Sequence, residues 1–460
     1  MAIRRLCKRN RVGIGYWGHE MIAGFAAQDI TPDPGLSMSG FAVRQGPPTA
    51  VGTHDPIYVH ALAASENGST VILFAFDLIG LPVAWIEQVR AAVESECGVP
   101  AASQMYTCSH THCGPGTGVI PYAMGDAPVV DPVYMECLAG SVVNVARAAL
   151  ANAVPANLRI GEGESYAGWN RRSAEAAPNG PCDGHVDDID PAVVVAQFAG
   201  DDGAILGTVV NYGCHATSSR DSYYSSDYPG YVRSIVEAET GAPCIYVNGA
   251  GGDINPRGAN SILRGFDIAE RTGSRLGNDA VAVLDSMTAA ASTTVGAATV
   301  DTEFVYRELI SESEARRLYE DKAAEAKAAT SPEDEFDHTW RGTEYAKRVI
   351  ATLNDENWSD RLQIEVQVLR IGDLAIAASP SEFFSADGRS IRANSPALHT
   401  MVAGWSNGNF GYTPTRRAVA HGGYEAEWAY MIYGHPAAWD PISGDNIRAA
   451  AQTAISSLFD

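Results

Sequence analysis

Basic residues are scarce in this 460-residue chain: 32 lysines and arginines stand against 55 aspartates and glutamates, for a net charge of -23. Such a field opposes phosphate backbones and anionic headgroups, which argues against a nucleic-acid partner. Long apolar runs are also missing. The stretch 70–82 is broken by Asp77 and is too short to span a bilayer, so no transmembrane segment is expected. The eight cysteines follow no regular spacing, which excludes a disulfide framework and reads Cys108 and Cys113 as buried thiols. The basic start MAIRRLCKRNRVGIGYWGHEM lacks the apolar run and small-residue cleavage site of a secretory signal, so a cytoplasmic location is expected. What remains is the balance of a globular protein, 46% apolar and 19% charged, with length enough for a large core.

Residues 1–21 read as an N-terminal extension and 22–460 as one domain, with no internal repeat or linker. Within 53–81, HDPIYVHALAAS and TVILFAFDLIG are strand-like runs separated by the turn residues ENGS. A helix over 83–96 stops at Cys97-Gly98-Val99-Pro100, and a strand over 104–109 runs into the glycine-rich HTHCGPGTG. A strand over 205–212 leads to GCHATSS, a helix follows over 229–239, and a strand over 244–247 enters NGAGGDINPRG. The segment 310–353, rich in Ala, Glu, Lys and Arg, predicts a solvated helical insertion broken at Ser331-Pro332. Strands return over 362–371, 374–378 and 400–405, with a helix opening at SPSEFF. Strands alternating with helices along the whole length predict a single α/β domain.

The chemistry-bearing residues cluster at the ends of these elements. In an extended segment His110 and His112 share a face, so both imidazoles can meet a metal, and Gly114-Pro115-Gly116 leaves room for a substrate. His215 ends a strand as His110 does, where α/β sheets gather their site residues. Glu382 stands where a helix is expected to begin, which suits either a ligand or a carboxylate at a helix N-terminus. Tyr412 and Tyr424 lie in a Gly/Asn-rich region and, taken singly, carry no assignment.

Six segments in order resemble the neutral/alkaline (non-lysosomal) ceramidase family. They are AQDITP with the later Arg44, HDPIYVHALA with FDLIG, TCSHTHCGPG, NYGCHAT with SSDYPGY, NGAGGDINP, and PSEFFSADGR followed by GWSNGNFGYTPT and GYEAE. The resemblance implies the single large mixed-sheet α/β metallohydrolase domain of the family's catalytic type. It also implies a zinc-dependent hydrolase that cleaves a linear N-acyl amide by attack of metal-bound water, acting on a small-molecule or lipid substrate as in sphingolipid metabolism. By position, zinc ligands fall on His110, His215, Glu382 and Tyr412, and the family's catalytic histidine falls on His112. Arg171 matches the active-site arginine, with Arg172 as the alternative, and Tyr424 matches a second active-site tyrosine.

Three departures bear on the substrate. Asn255 stands where the family carries a serine proposed as nucleophile, which favours direct attack by water over an acyl-enzyme. The chain ends 35 residues after Glu425, so neither the family's C-terminal immunoglobulin-like domain nor its secretory signal is expected. A small soluble amide, ester or lactone is the alternative substrate, a silent binding protein is the competing class, and homo-oligomerisation stays open.

Overall fold

The computed structural model describes residues 21–122, 129–172, 189–259 and 263–460. The expected N-terminal extension, Met21 apart, lies outside them. Three sheets close on one shared core. The first contains β1 (Ile22–Asp29), β2 (Tyr58–Glu66), β3 (Ser69–Phe76) and β4 (Gln104–Cys108) in the order β4-β3-β2-β1, with Val154–Pro155 beyond β1. β2 and β3 form the expected hairpin, and Asn67 and Gly68 turn it at positive φ, 52° and 83°. That turn demands left-handed backbone at both positions, which Asn-Gly supplies at least cost.

The second sheet contains β5 (Asn157–Glu164), β6 (Ala192–Ala199), β7 (Ile205–Tyr212) and β8 (Cys244–Asn248), ordered β8-β7-β6-β5. In the third, β9 (Val295–Val305), β10 (Arg361–Ile371), β11 (Leu374–Ala378) and β12 (His399–Ala403) run in sequence order. Phe25, Leu73, Phe198, Val209, Leu369 and Met401 bring the three sheets together in one core. Each such fully buried side chain contributes about 1.5–3 kcal/mol.

Each of these three sheets holds one parallel pair: β3 with β4, β7 with β8, and β11 with β12. Parallel neighbours require a crossover. Helices α1 (Val83–Cys97), α2 (Tyr228–Thr240) and α3 (Ser385–Asn394) supply the three crossovers and bury Ile86, Val232 and Ile391 against their sheets. α1 ends at Gly98 in the left-handed conformation, the stop its sequence predicts.

Two segments bear on the sequence expectations. Among the described residues, the helix Pro132–Ala151 is long and apolar enough to cross a membrane by length and composition. It packs on β1 and β2, with Leu138, Val142 and Ala149 buried. The 310–353 segment is only half solvated. Its helices Glu312–Ala326, Pro332–His338 and Tyr345–Leu353 bury Ala315, Phe336, Tyr345 and Val349, with Phe336 packed beside Ile79 and Ile432. The break falls where expected: Ser331 caps the second helix and Pro332 occupies its first turn.

Candidate metal centre

The carboxyl ends of the three parallel pairs are tied to one another. Asn248, at the end of β8, donates to the Ser109 carbonyl at 2.7 Å, and Gly404 donates to the Asn248 carbonyl at 3.0 Å. Cys108 donates to the Trp405 carbonyl at 3.3 Å, and Trp405 donates to the Ser381 carbonyl at 3.1 Å. His110, His215 and Glu382 leave these ends and converge, all three essentially fully buried.

Their hydrogen bonds fix which atoms face one another. His110 donates from Nδ1 to the Ile79 carbonyl at 2.6 Å, and His215 donates from Nδ1 to the Gly251 carbonyl at 2.7 Å. A carbonyl only accepts, so each ring carries its proton on Nδ1 and turns an Nε2 lone pair inward. Those lone pairs face Glu382 Oε2, at 3.4 Å from His110 and 2.8 Å from His215. Tyr412 Oη lies 3.2 Å from His215 Nε2, and its residue pairs with Glu382 in a short parallel ladder. Buried lone pairs facing a buried carboxylate repel unless a cation lies between them. Two imidazole nitrogens and a carboxylate oxygen fit zinc or a similar divalent ion.

Protonation favours the same reading. Burial, with Arg171 next in effect, drives His215 down to about 4. Burial alone would raise Glu382, yet His110 and His215 hold its carboxyl well below the ordinary range. Neutral imidazole and ionised carboxylate are the metal-binding forms.

A curated protein, the neutral ceramidase of Pseudomonas aeruginosa, is 24% identical to this chain over 378 residues, covering 70% of this chain and 55% of that protein. The chain therefore spans about half the length of the curated relative it matches. The crystal structure of neutral ceramidase from Pseudomonas aeruginosa superposes with a TM-score of 0.71 at 20% identity, over 96% of this chain and 75% of that one. A ceramidase complexed with C2 gives a TM-score of 0.72 at 19% identity over the same shares. No protein-family model matches. This chain is similar in sequence to a neutral ceramidase and shares the fold of the solved ceramidase structures.

In this ceramidase fold the other sequence-singled residues surround the cluster. His112 stands beside it, Nε2 3.2 Å from His110 Nε2, while its Nδ1 is buried without a partner among the described residues. The two histidines are not on a strand: β4 ends at Cys108, and His110 adopts φ 60°, a strained value for a non-glycine residue. Burial first, then His110 and His215, hold His112 well below its ordinary pKa. Arg171 reaches the site, 3.5 Å from His215 Nε2, and its guanidinium lies over the Tyr412 and Tyr424 rings at 5.3 and 5.7 Å. Arg172 turns outward along a cleft lined by Asn170, Asp253 and Phe384.

Glu382 sits on the two-residue strand Glu382–Phe383, not at a helix start, because α3 begins at Ser385. Cys108 and Cys113 are buried free thiols, as expected. Three contributors carry no sequence assignment. Trp405 stacks on His110, centroids 4.6 Å apart at 18°, and meets His215 edge-on. Glu425 bridges Arg171 and Arg172, accepting from Arg171 Nε at 2.7 Å and from Arg172 Nε at 2.6 Å. Tyr433 donates to Glu382 Oε1. Trp405 and Glu425 fall inside GWSNGN and GYEAE, so those motifs could have flagged them, whereas Tyr433 has no such signal.

Proposed function

We propose that this chain hydrolyses an N-acyl amide at a zinc centre held by His110, His215 and Glu382, with Tyr412 as the fourth group. The observation carrying this reading is the facing of two Nε2 lone pairs and a carboxylate with no proton to share. A bound zinc ion would polarise the carbonyl and lower the pKa of a water toward about 7.

The remaining work falls to side chains. His112, neutral at pH 7, takes a proton from the attacking water on the ring edge facing the cluster and returns it to the departing nitrogen. Arg171, fixed by Glu425, and Tyr424 hold the oxyanion that develops on the carbonyl. Asn255, at 3.5 Å from Arg171, offers no hydroxyl nucleophile, so water attacks directly. The net charge of -23 favours substrates that are soluble as monomers over those held in anionic membranes.

The test is metal analysis of protein purified without added zinc, followed by assays on N-acylsphingosine and short N-acyl amines. About one zinc per chain with amide turnover is expected. Stoichiometric zinc with cleavage of esters or lactones only would replace the amide by the alternative substrates, and protein binding these compounds without turnover would make it a binding protein.

A further inference from the structure

Three guanidinium groups surround one phenyl ring that packs on His112. The Phe41 ring lies 4.7 Å from the His112 ring, and Gly40 lies against the same imidazole. Arg44, Arg220 and Arg264 stand at 5.6, 5.3 and 5.2 Å from the Phe41 centroid. Concentrating three cations in a chain of net charge -23 opposes the overall composition.

No carboxylate among the described residues forms an ion pair with them. Arg44 donates to the Ser39, His112 and Asp221 carbonyls, and Arg264 donates to the Thr217 carbonyl. All of these acceptors are main-chain oxygens. The Nε atom of each of the three arginines is buried without a partner among the described residues. Asp227, whose field reaches Arg264, is already engaged by the Ser218 hydroxyl at 2.6 Å and amide at 2.8 Å. Glu333 reaches Arg220 only through its field. Burial first, then Arg220, pushes Arg264 down to about 10, a sign that the charges are crowded.

Cations gathered at this cost need a counter-charge, and the aromatic ring offers only part of it. Guanidinium forks match carboxylate and phosphate oxygens. The location decides which end of the substrate carries them. On the proposed reading His112 protonates the departing nitrogen, and Phe41 packs on that same ring, so the amine portion is the part of the substrate nearest the three arginines.

We propose that the amine portion of the substrate bears an anionic group, a carboxylate or a phosphate, bound by Arg44, Arg220 and Arg264 beside Phe41. This rests on the amide-hydrolase reading above. The ceramide headgroup, being neutral, lacks this group.

The experiment compares three substrates of equal acyl length: N-dodecanoylglycine, N-dodecanoyl-O-phosphoethanolamine and the neutral N-dodecanoylethanolamine. At least one anionic substrate should exceed the neutral one by roughly 10-fold to 100-fold in kcat/KM, the range expected of charge-assisted hydrogen bonds. Whichever of the two leads identifies the anion. Arg220→Ala and Arg264→Ala should each remove most of that preference, and Arg220→Lys should retain part of it. Equal turnover of all three substrates, or a preference that survives both alanine variants, overturns the proposal.

Calorimetric titration of the metal-loaded protein with inorganic phosphate and with N-acetylglycine reads the same site without catalysis. Binding lost in Arg220→Ala supports the proposal even if no amide is cleaved, a result that would sink only the hydrolase reading. Saturation by neither probe overturns the anion site itself.

Discussion

Tyr433 donates its phenolic hydrogen to Oε1 of Glu382, leaving Oε2 to face His215 and His110. The tyrosine thereby divides the carboxylate into a held oxygen and a free one. A carboxylate pinned in this way has less freedom to lose on meeting a metal.

Tyr433→Phe should therefore keep the fold and weaken metal binding by roughly 10-fold to 100-fold, the usual effect of losing such a support. Competition against a chelator measures it. Unchanged affinity would leave Tyr433 a packing residue only.

His215→Ala should lose both metal and turnover, since the ring supplies one of three converging donors. Elemental analysis after desalting decides it. A variant retaining stoichiometric zinc and normal rates would show the site to be misassigned.

His112→Ala should retain zinc while turnover drops by roughly 100-fold to 10,000-fold, the span of general acid-base catalysis. Gly40→Ala tests the same residue from outside. A methyl group there would sit 2.4 Å from His112 Cγ at φ +102°, displacing that ring and leaving the three donors in place. Turnover should fall with metal content unchanged; loss of metal in either variant would make His112 a ligand.

Glu425→Gln leaves Arg171 and Arg172 without their shared counter-ion, which should cost about 3–5 kcal/mol at pH 7. Burial alone would raise this carboxyl, but the two arginines, Arg171 first, hold it below its ordinary 4.5. A depressed carboxylate stabilises the fold above its unfolded value and loses that contribution as pH falls through the lower folded value. Thermal melts of both proteins from pH 7 to pH 3 should differ most above about 4.5 and converge below it. A gap independent of pH would show that the bridge's charge is not what matters.

Anionic vesicles should bind the protein weakly at fixed physiological salt, given the net charge of -23 and screening within about 8 Å. Sedimentation with vesicles checks this. Tight binding, combined with faster cleavage of long-chain ceramide than of a short N-acyl analogue, would restore a membrane-lipid substrate.

Much was legible in the one-dimensional pattern. β-branched runs, the Asn67-Gly68 turn and the Gly98 stop announce the β2–β3 hairpin and α1, because these signals act within a few residues. The His110-to-His112 spacing and the ordered motifs single out histidines that the fold brings together, though not for the reason an extended segment suggests. His110 leaves the strand with φ 60°, so its inward direction comes from a local left-handed turn and from its bond to Ile79.

Only tertiary structure decided the rest. Arg171 and Arg172 are adjacent and chemically identical, and the fold alone turns the first toward His215 and the second outward. Tyr433 meets Glu382 across 51 positions of sequence, and Arg44 and Arg264 meet around Phe41 from segments 220 positions apart. Local propensity is set by neighbours along the chain and a motif by residue order. Side chains from distant segments meet only once the sheets have packed on a common core and their strand ends have been tied together.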